Sequence, residues 1–327
     1  MNVLSLFDGI SCAKIALDKL NIPITNYYAS EIDKYAISVS QKNHPTIIHL
    51  GDIQNIKACD LPKIDLLIGG SPCQDLSNAQ NGLGLKGTKS RLFYEYIRLY
   101  KELKPKYFLL ENVKNKWGDL MSEIIGVNFI ALNSSFFSAQ SRPRYYWTNI
   151  EFPTLPKQHH KELLKDIICD GVDEKYFFKQ DGLQEYLQKI SFTTKLPTKD
   201  GIVKLFDIPK TIINDNERQR RIYSLESKSP TILARADTTK IFYKNKIRKL
   251  TPLECERLQK IPDNYTASCS DAQRYKMVGN AFTVDTIVHF LKGLKTDNLE
   301  NSDTTPLAKT EHPTNKIIPK KQLRLFI

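Results

Sequence analysis

Short apolar runs alternate with amphipathic stretches along the first half of the chain. The runs at 3–7, 27–31, 47–50, 65–70 and 107–111 are bounded by polar or turn-forming residues, which predicts short buried strands. Between them, 13–20 and 92–103 carry helical spacing. Strands alternating with helices predict an α/β fold with a parallel, doubly wound sheet. Such sheets bind ligands at the carboxyl ends of their strands. Two more strands are expected, at 129–134 and 145–149.

From 151 to 248 the pattern loosens. Charges are dense, and Pro, Gly and Asp interrupt the apolar positions, so a separate, smaller domain is expected there. Order returns at Thr251-Pro252-Leu253-Glu254. Thr251 is placed as an N-cap, Pro252 at the first helical position, and Glu254 completes a capping-box spacing. A last helix over 284–294 should pack back on the first domain, so 1–150 and 249–295 belong together. From 296 to 327 the chain turns polar and reads as a disordered tail. No internal repeat is present.

Composition narrows the function. Of 327 residues, 41% are hydrophobic, enough for a sizeable core. No run approaches the ~20 apolar residues that span a bilayer. The chain opens on a strand-like stretch without a basic leader, so a cytoplasmic monomer is expected. The net charge of +12 favours a polyanionic partner. Much of the excess lies between Arg218 and Arg248, with nine Lys or Arg against Glu226 and Asp237. The six cysteines form no CxxC pair, which argues against a zinc cluster or a disulfide framework. No metal site is expected.

Four stretches carry chemistry. Gly69-Gly70-Ser71-Pro72-Cys73-Gln74-Asp75-Leu76-Ser77 follows a predicted strand and puts a thiol at its carboxyl end. Phe108-Leu109-Leu110-Glu111-Asn112-Val113 puts a carboxylate at the end of a neighbouring strand. Gln140-Ser141-Arg142-Pro143-Arg144 supplies two guanidiniums, and Gln273 to Ala281 precedes the last helix.

In this order and spacing, these stretches resemble the motif set of the DNA cytosine-5 methyltransferases, bacterial and phage enzymes in particular. The resemblance covers roughly 1–150 and 248–295. Short pieces, including Arg91-Leu92-Phe93-Tyr94-Glu95 and Tyr145-Tyr146-Trp147, are also similar to the animal de novo enzymes. The resemblance implies methyl transfer from S-adenosylmethionine to C5 of a cytosine flipped out of duplex DNA, on a Rossmann-like methyltransferase domain.

Cytosine C5 is a poor nucleophile, and a thiolate adding at C6 makes it one. Cys73 is the candidate thiolate. Glu111 is placed to donate a proton at N3, and Arg144 to hold O2 and offset developing charge. The family assigns Arg142 and Gln140 to the supporting wall, with Arg142 counted in the catalytic set and Gln140 among the residues facing DNA. The donor pocket is expected to use Phe7, Asp8, Gly9 and Ile10 after the first strand. Glu31 would bind the ribose hydroxyls and Ile32 pack on adenine. Asp52 and Ile53 are similar to the family's adenine-binding pair, and Pro72, Asn280 and Phe282 complete the pocket. The loop 75–91 would close over the flipped base, with Gln74, Ser77, Lys89 and Arg91 near DNA. The segment 151–248 would recognise the target, using Arg218, Arg220, Arg221 and Arg235.

Two alternatives share the scaffold. A tRNA cytosine-5 methyltransferase would carry Cys-Phe-Thr in the second region, where this chain has Ser191-Phe192-Thr193. A catalytically silent DNA-binding protein would not need the Cys, Glu and Arg set. Finally, Gln322-Leu323-Arg324-Leu325-Phe326 resembles the short peptide by which bacterial replication and repair proteins bind the sliding clamp.

Overall fold

The computed structural model describes residues 1–72, 91–191, 197–236 and 239–300, with the backbone alone for 295–300. The first half alternates β1 (Asn2–Leu6), α1 (Cys12–Lys19), β2 (Asn26–Ser30), α2 (Lys34–Asn43), β3 (Ile48–Gly51), β4 (Leu66–Gly70), α3 (Arg91–Leu103), β5 (Tyr107–Val113), α4 (Gly118–Ile125), β6 (Ile130–Asn133) and β7 (Pro143–Thr148). The seven strands form one sheet in the order β3-β2-β1-β4-β5-β7-β6. The order reverses between β1 and β4, which opens a crevice at their carboxyl ends.

Both faces of this sheet are covered. In β1, Val3 belongs to one core cluster, shared with α1 and the last helix. Leu4 and Leu6 belong to the other, which holds Phe93, Tyr96, Ile97 and Leu99 of α3. Burial on both sides explains why β1, β4 and β5 read as continuous apolar runs.

One expectation is corrected. The sheet is mixed, because β7 runs antiparallel to both β5 and β6. Only residues 134–142 join β6 to β7, fewer than the dozen or more that a parallel crossover needs.

The middle of the chain adds α5 (Leu164–Ile167), α6 (Leu183–Lys189), β8 (Lys204–Asp207), α7 (Glu217–Arg220), β9 (Arg221–Tyr223), β10 (Lys240–Tyr243) and β11 (Lys246–Lys249). These strands form a second sheet, β11-β10-β9-β8, over a small core of Leu183, Phe206, Ile208, Ile222 and Ile247. The chain then returns through α8 (Pro252–Leu258), α9 (Asp271–Asn280) and α10 (Val284–Glu300). The capping box at Thr251 is formed: its hydroxyl accepts Glu254 N at 3.2 Å, and Glu254 Oε2 accepts Thr251 N at 2.7 Å. The last helix runs past the expected 294 into the predicted tail. No Pro or Gly interrupts 294–300, so nothing in that stretch breaks it.

The second sheet is joined to the first domain through a buried ion pair. Arg248 and Glu254 make two parallel 2.8 Å bonds and both are fully buried. Nearby, the backbone of Leu233 and Ala234 lies directly on Gly279. A Cβ there would come within 2.4 Å of Leu233 C and O. Gly279→Ala should therefore push the two backbones apart and cost about 1–3 kcal/mol, the usual scale of overpacking. Chemical denaturation would read it, and a wild-type midpoint would show that the contact yields.

Candidate active site

The site is built where β4, β5 and β7 meet at one edge of the sheet. β4 ends on Gly69-Gly70, and Ser71 is buried just beyond it. Asn112 anchors this exit: its amide donates to Ser71 Oγ at 2.9 Å and to Ser71 O at 3.3 Å. The half-buried Pro72 follows. Cys73, Gln74, Ser77 and Lys89 lie outside the described residues.

Glu111 is in register with Gly70 on the neighbouring strand. A Cβ on Gly70 would meet Glu111 Oε2 at 3.1 Å and the Phe282 ring at 2.9 Å, so glycine leaves room for both. Because β7 is antiparallel, its first residues arrive where β5 ends, with Arg144 opposite Val113. Arg144 Nε lies 2.7 Å from Glu111 Oε1, and the two side chains are only 11% and 13% exposed. A carboxylate and a guanidinium, both largely removed from water, thus stand beside the exit of β4.

The other members of the third stretch face away from this edge. Arg142 is buried and donates to the carbonyls of Gly279 at 3.0 Å, Ala281 at 3.1 Å and Ile232 at 3.4 Å. It braces the approach to α10, a positioning role in place of the expected catalytic one. Gln140 was expected to face DNA. It is fully buried, with its amide donating to Gln259 Oε1 at 3.1 Å and its carbonyl accepting Ile232 N at 3.0 Å. Both polar ends are spent inside the protein, which corrects that expectation.

Around the crevice, the turn after β1 has left-handed backbone at Phe7, Gly9 and Ser11, with φ of 56°, 58° and 61°. Gly9 N donates to Glu31 Oε2 at 2.8 Å, while Glu31 Oε1 accepts Ile32 N and Asp33 N at 2.8 Å each. The acid at the end of β2 is therefore fixed against the turn. Ile32 beside it is 72% exposed, an apolar side chain with no protein cover. Asp52 caps a short 3-10 turn by accepting Gln54 N at 3.0 Å. Ile53 is buried in the core, so it backs the pocket from within. Ile10 is also buried, its carbonyl taken by Tyr265 OH at 2.9 Å. Asp8 is corrected from direct contact to an internal role: its oxygens are occupied by Ser11 Oγ at 2.5 Å and Tyr27 OH at 2.7 Å. Asn280 is exposed and Phe282 half-buried at the far wall. An uncovered apolar side chain, a fixed carboxylate and a left-handed glycine with nothing within 4 Å of its missing Cβ fit a nucleoside with an attached amino acid.

The basic stretch is less available than its charge count suggests. Lys228, Lys240 and Arg248 are buried. Lys228 Nζ donates to the carbonyls of Ser138 and Glu162 at 2.8 Å each and to that of His160. Burial pushes its ammonium down to about 8. Nothing in its polar surroundings, Ser227-Lys228-Ser229, signals this burial. Arg220 is half-buried and donates from Nε to Asp215 O at 3.2 Å and from Nη1 to Ile208 O at 2.6 Å, bracing α7. Arg221 pairs with Glu217 at 2.7 Å, and Arg235 lies 3.7 Å from Asp215. Arg218 is exposed, as is Arg91 at the start of α3.

Burial pushes the thiols of Cys12, Cys169 and Cys255 up, which disfavours their thiolates. Among the described residues, no group of acidic, His and Cys side chains could hold a metal ion, and no helix is long and apolar enough to cross a membrane.

Comparison with known proteins gives a concordant picture. The model of the family "C-5 cytosine-specific DNA methylase" matches residues 1–123 and 126–296. The chain is 32% identical to the type II methyltransferase M.FnuDI of Fusobacterium nucleatum, over 90% of this chain and 94% of that protein. It is 31% identical to the type II methyltransferase M1.ScrFI of Lactococcus lactis subsp. cremoris, over 87% and 75%. The structure of the Entamoeba histolytica methyltransferase EhMeth superposes with a TM-score of 0.67 at 16% identity, covering 91% of this chain and 98% of that one.

Proposed function

Since the chain belongs to the C-5 cytosine-specific DNA methylases, which take their methyl group from S-adenosylmethionine, we propose that Cys73, Glu111 and Arg144 carry the reaction on a cytosine flipped out of duplex DNA. The observation that supports this most is the Glu111–Arg144 pair at the exit of β4. Cys73 follows that exit by three residues from Gly70. Its thiolate adds to C6 of the ring and pushes electron density toward C5 and N3. Glu111 enters the step as the carboxylic acid, gives its proton to N3 so that the ring need not hold a full negative charge, and takes it back when the Cys73 thiolate is released from C6. Arg144 fixes the Glu111 side chain and offers its remaining N–H groups to O2. Arg142 holds the carbonyls of Gly279 and Ala281, which keeps Asn280 and Phe282 at the wall.

When bound, the donor supplies an electrophilic methyl group. Glu31 would hold its ribose hydroxyls, Ile32 one face of its adenine and Asp52 the exocyclic amine, with Phe7, Gly9, Pro72, Asn280 and Phe282 around it. Residues 151–248 serve target recognition, with Arg218, Arg221 and Arg235 at the phosphates, and Gln74, Ser77, Lys89 and Arg91 also contact DNA. Exchanging 151–248 for the matching region of a relative should move the methylated sequence. The enzyme works as a monomer in the cytoplasm.

Transfer of labelled methyl groups to duplex DNA and to tRNA transcripts tests the assignment. Duplex DNA should be the substrate, and Glu111→Gln should lower kcat by roughly 100-fold or more, the scale of general acid catalysis. Transfer to tRNA alone, or an unimpaired Gln variant, would overturn it. Bisulfite sequencing of the product reads the recognised sequence.

The segment Gln322–Phe326 supports a further partner. Leu325 and Phe326 suit a hydrophobic pocket and Gln322 its polar rim, in the manner of a sliding-clamp ligand. A peptide of residues 316–327 should bind a purified bacterial clamp at micromolar strength, and Leu325→Ala with Phe326→Ala should remove the binding while oligonucleotide methylation persists. No clamp binding by the whole protein would reject the partner.

A further inference from the structure

The turn between β1 and α1 contains a charge that its geometry alone does not require. Asp8 is 7% exposed, and its carboxylate is held by hydroxyls: Ser11 Oγ at 2.5 Å and Tyr27 OH at 2.7 Å. Ser11 continues inward to Ser40 Oγ at 2.6 Å, and Ser40 to His49 Nε2 at 3.4 Å. Burial pushes the Asp8 carboxyl up to about 6, against the Ser11, Ser5 and Tyr27 hydroxyls that hold it down. It is thus mainly ionised at neutral pH, at a cost that a neutral side chain would avoid. The next residue, Gly9, is tied to Glu31, so two carboxylates flank the turn.

We propose that Asp8 is a charge-selecting residue of the donor pocket: its ionised carboxylate favours the sulfonium of S-adenosylmethionine over the uncharged sulfur of S-adenosylhomocysteine. The inference rests on the reading that the turn 7–11 receives the methionine end of the donor. Transfer removes the positive charge from sulfur, so a buried negative charge nearby attracts the donor and not the product. A field of this kind acts through low-dielectric surroundings, where it is screened little. The groups around Asp8 are Tyr27 and Glu31 from β2, Cys12 from α1, Tyr265 after α8, and Ser40 with His49 beyond them. Burial pushes Tyr27, Cys12 and Tyr265 up, away from this range, and pushes His49 below its ordinary value.

Calorimetric titration of the full chain with S-adenosylmethionine, S-adenosylhomocysteine and the cationic amine analogue sinefungin, between pH 5 and 7, tests this. At pH 7, Asp8→Asn should weaken the two cationic ligands by roughly tenfold, the order expected of one partly screened charge. It should leave the product within about twofold. In the wild type, the ratio of donor to product affinity should fall as the pH drops through 6, and His49→Gln should keep that fall. Equal weakening of donor and product would assign Asp8 to ordering the turn and overturn the proposal. So would a wild-type ratio independent of pH, or a fall abolished by His49→Gln. Binding of neither ligand by the wild type would instead overturn the donor-pocket reading itself.

Discussion

Cys73→Ser protein is expected to fold, to bind duplex DNA and to transfer no measurable methyl groups. Serine's hydroxyl is far less ionised than a thiol near neutral pH, so the attack at C6 fails while the Glu111–Arg144 pair stays in place. Loss of a covalent nucleophile costs at least roughly a thousandfold in rate. Duplexes containing 5-fluorocytosine provide the complementary readout. Fluorine at C5 cannot leave as a proton does, so the wild type should remain attached to the DNA in a denaturing gel, and the serine variant should not. A serine variant with near-wild-type turnover would remove Cys73 from the mechanism.

Arg248→Ala should strongly destabilise the protein. It would leave Glu254 fully buried without its guanidinium, and breaking such a pair costs about 3–5 kcal/mol. Glu254 also accepts Thr251 N at 2.7 Å and Cys169 N at 2.8 Å, so the return into α8 loosens with it. Arg248→Met with Glu254→Gln should recover more than half of the loss, because no charge is then stranded. Thermal unfolding measures both, and an Arg248→Ala midpoint within a degree or two of wild type would show that the pair adds little.

The central strands β1, β4 and β5 were legible because burial on both faces leaves a continuous apolar run that needs no partner to be seen. The direction of β7 was not, since an apolar run looks alike in either direction. The site shows a similar division. Glu111 and Arg144 could be read from motif and strand end, and they do lie together at 2.7 Å. Gln140 and Arg142 belong to the same stretch, yet their partners come from residues 232, 259, 279 and 281. Whether such a side chain meets solvent or a distant carbonyl is decided by tertiary packing. Lys228 and Arg248 make the same point for charge. Both counted toward a basic surface, and both are buried, Lys228 with its ammonium on three carbonyls and Arg248 with its two Nη groups on Glu254.

Part of the junction between the two sheets rests on main-chain atoms of the smaller unit, beside the side chains of Lys228 and Arg248. Arg142 meets the carbonyl of Ile232, Gly279 the peptide of Leu233 and Ala234, and Ser141 N the carbonyl of Ser229 at 2.8 Å, while Ser229 N returns to Ala139 O at 2.7 Å. Peptide groups are the same whatever residue bears them. Substitutions at Leu233 and Ala234 therefore keep the same peptide groups at Gly279, whereas Lys228 and Arg248 hold the junction through their side chains and cannot be exchanged freely. Under the target-recognition role proposed for 151–248, preference can drift in small evolutionary steps at positions joined through peptide groups, while Lys228 and Arg248 mark where the joint itself would be lost.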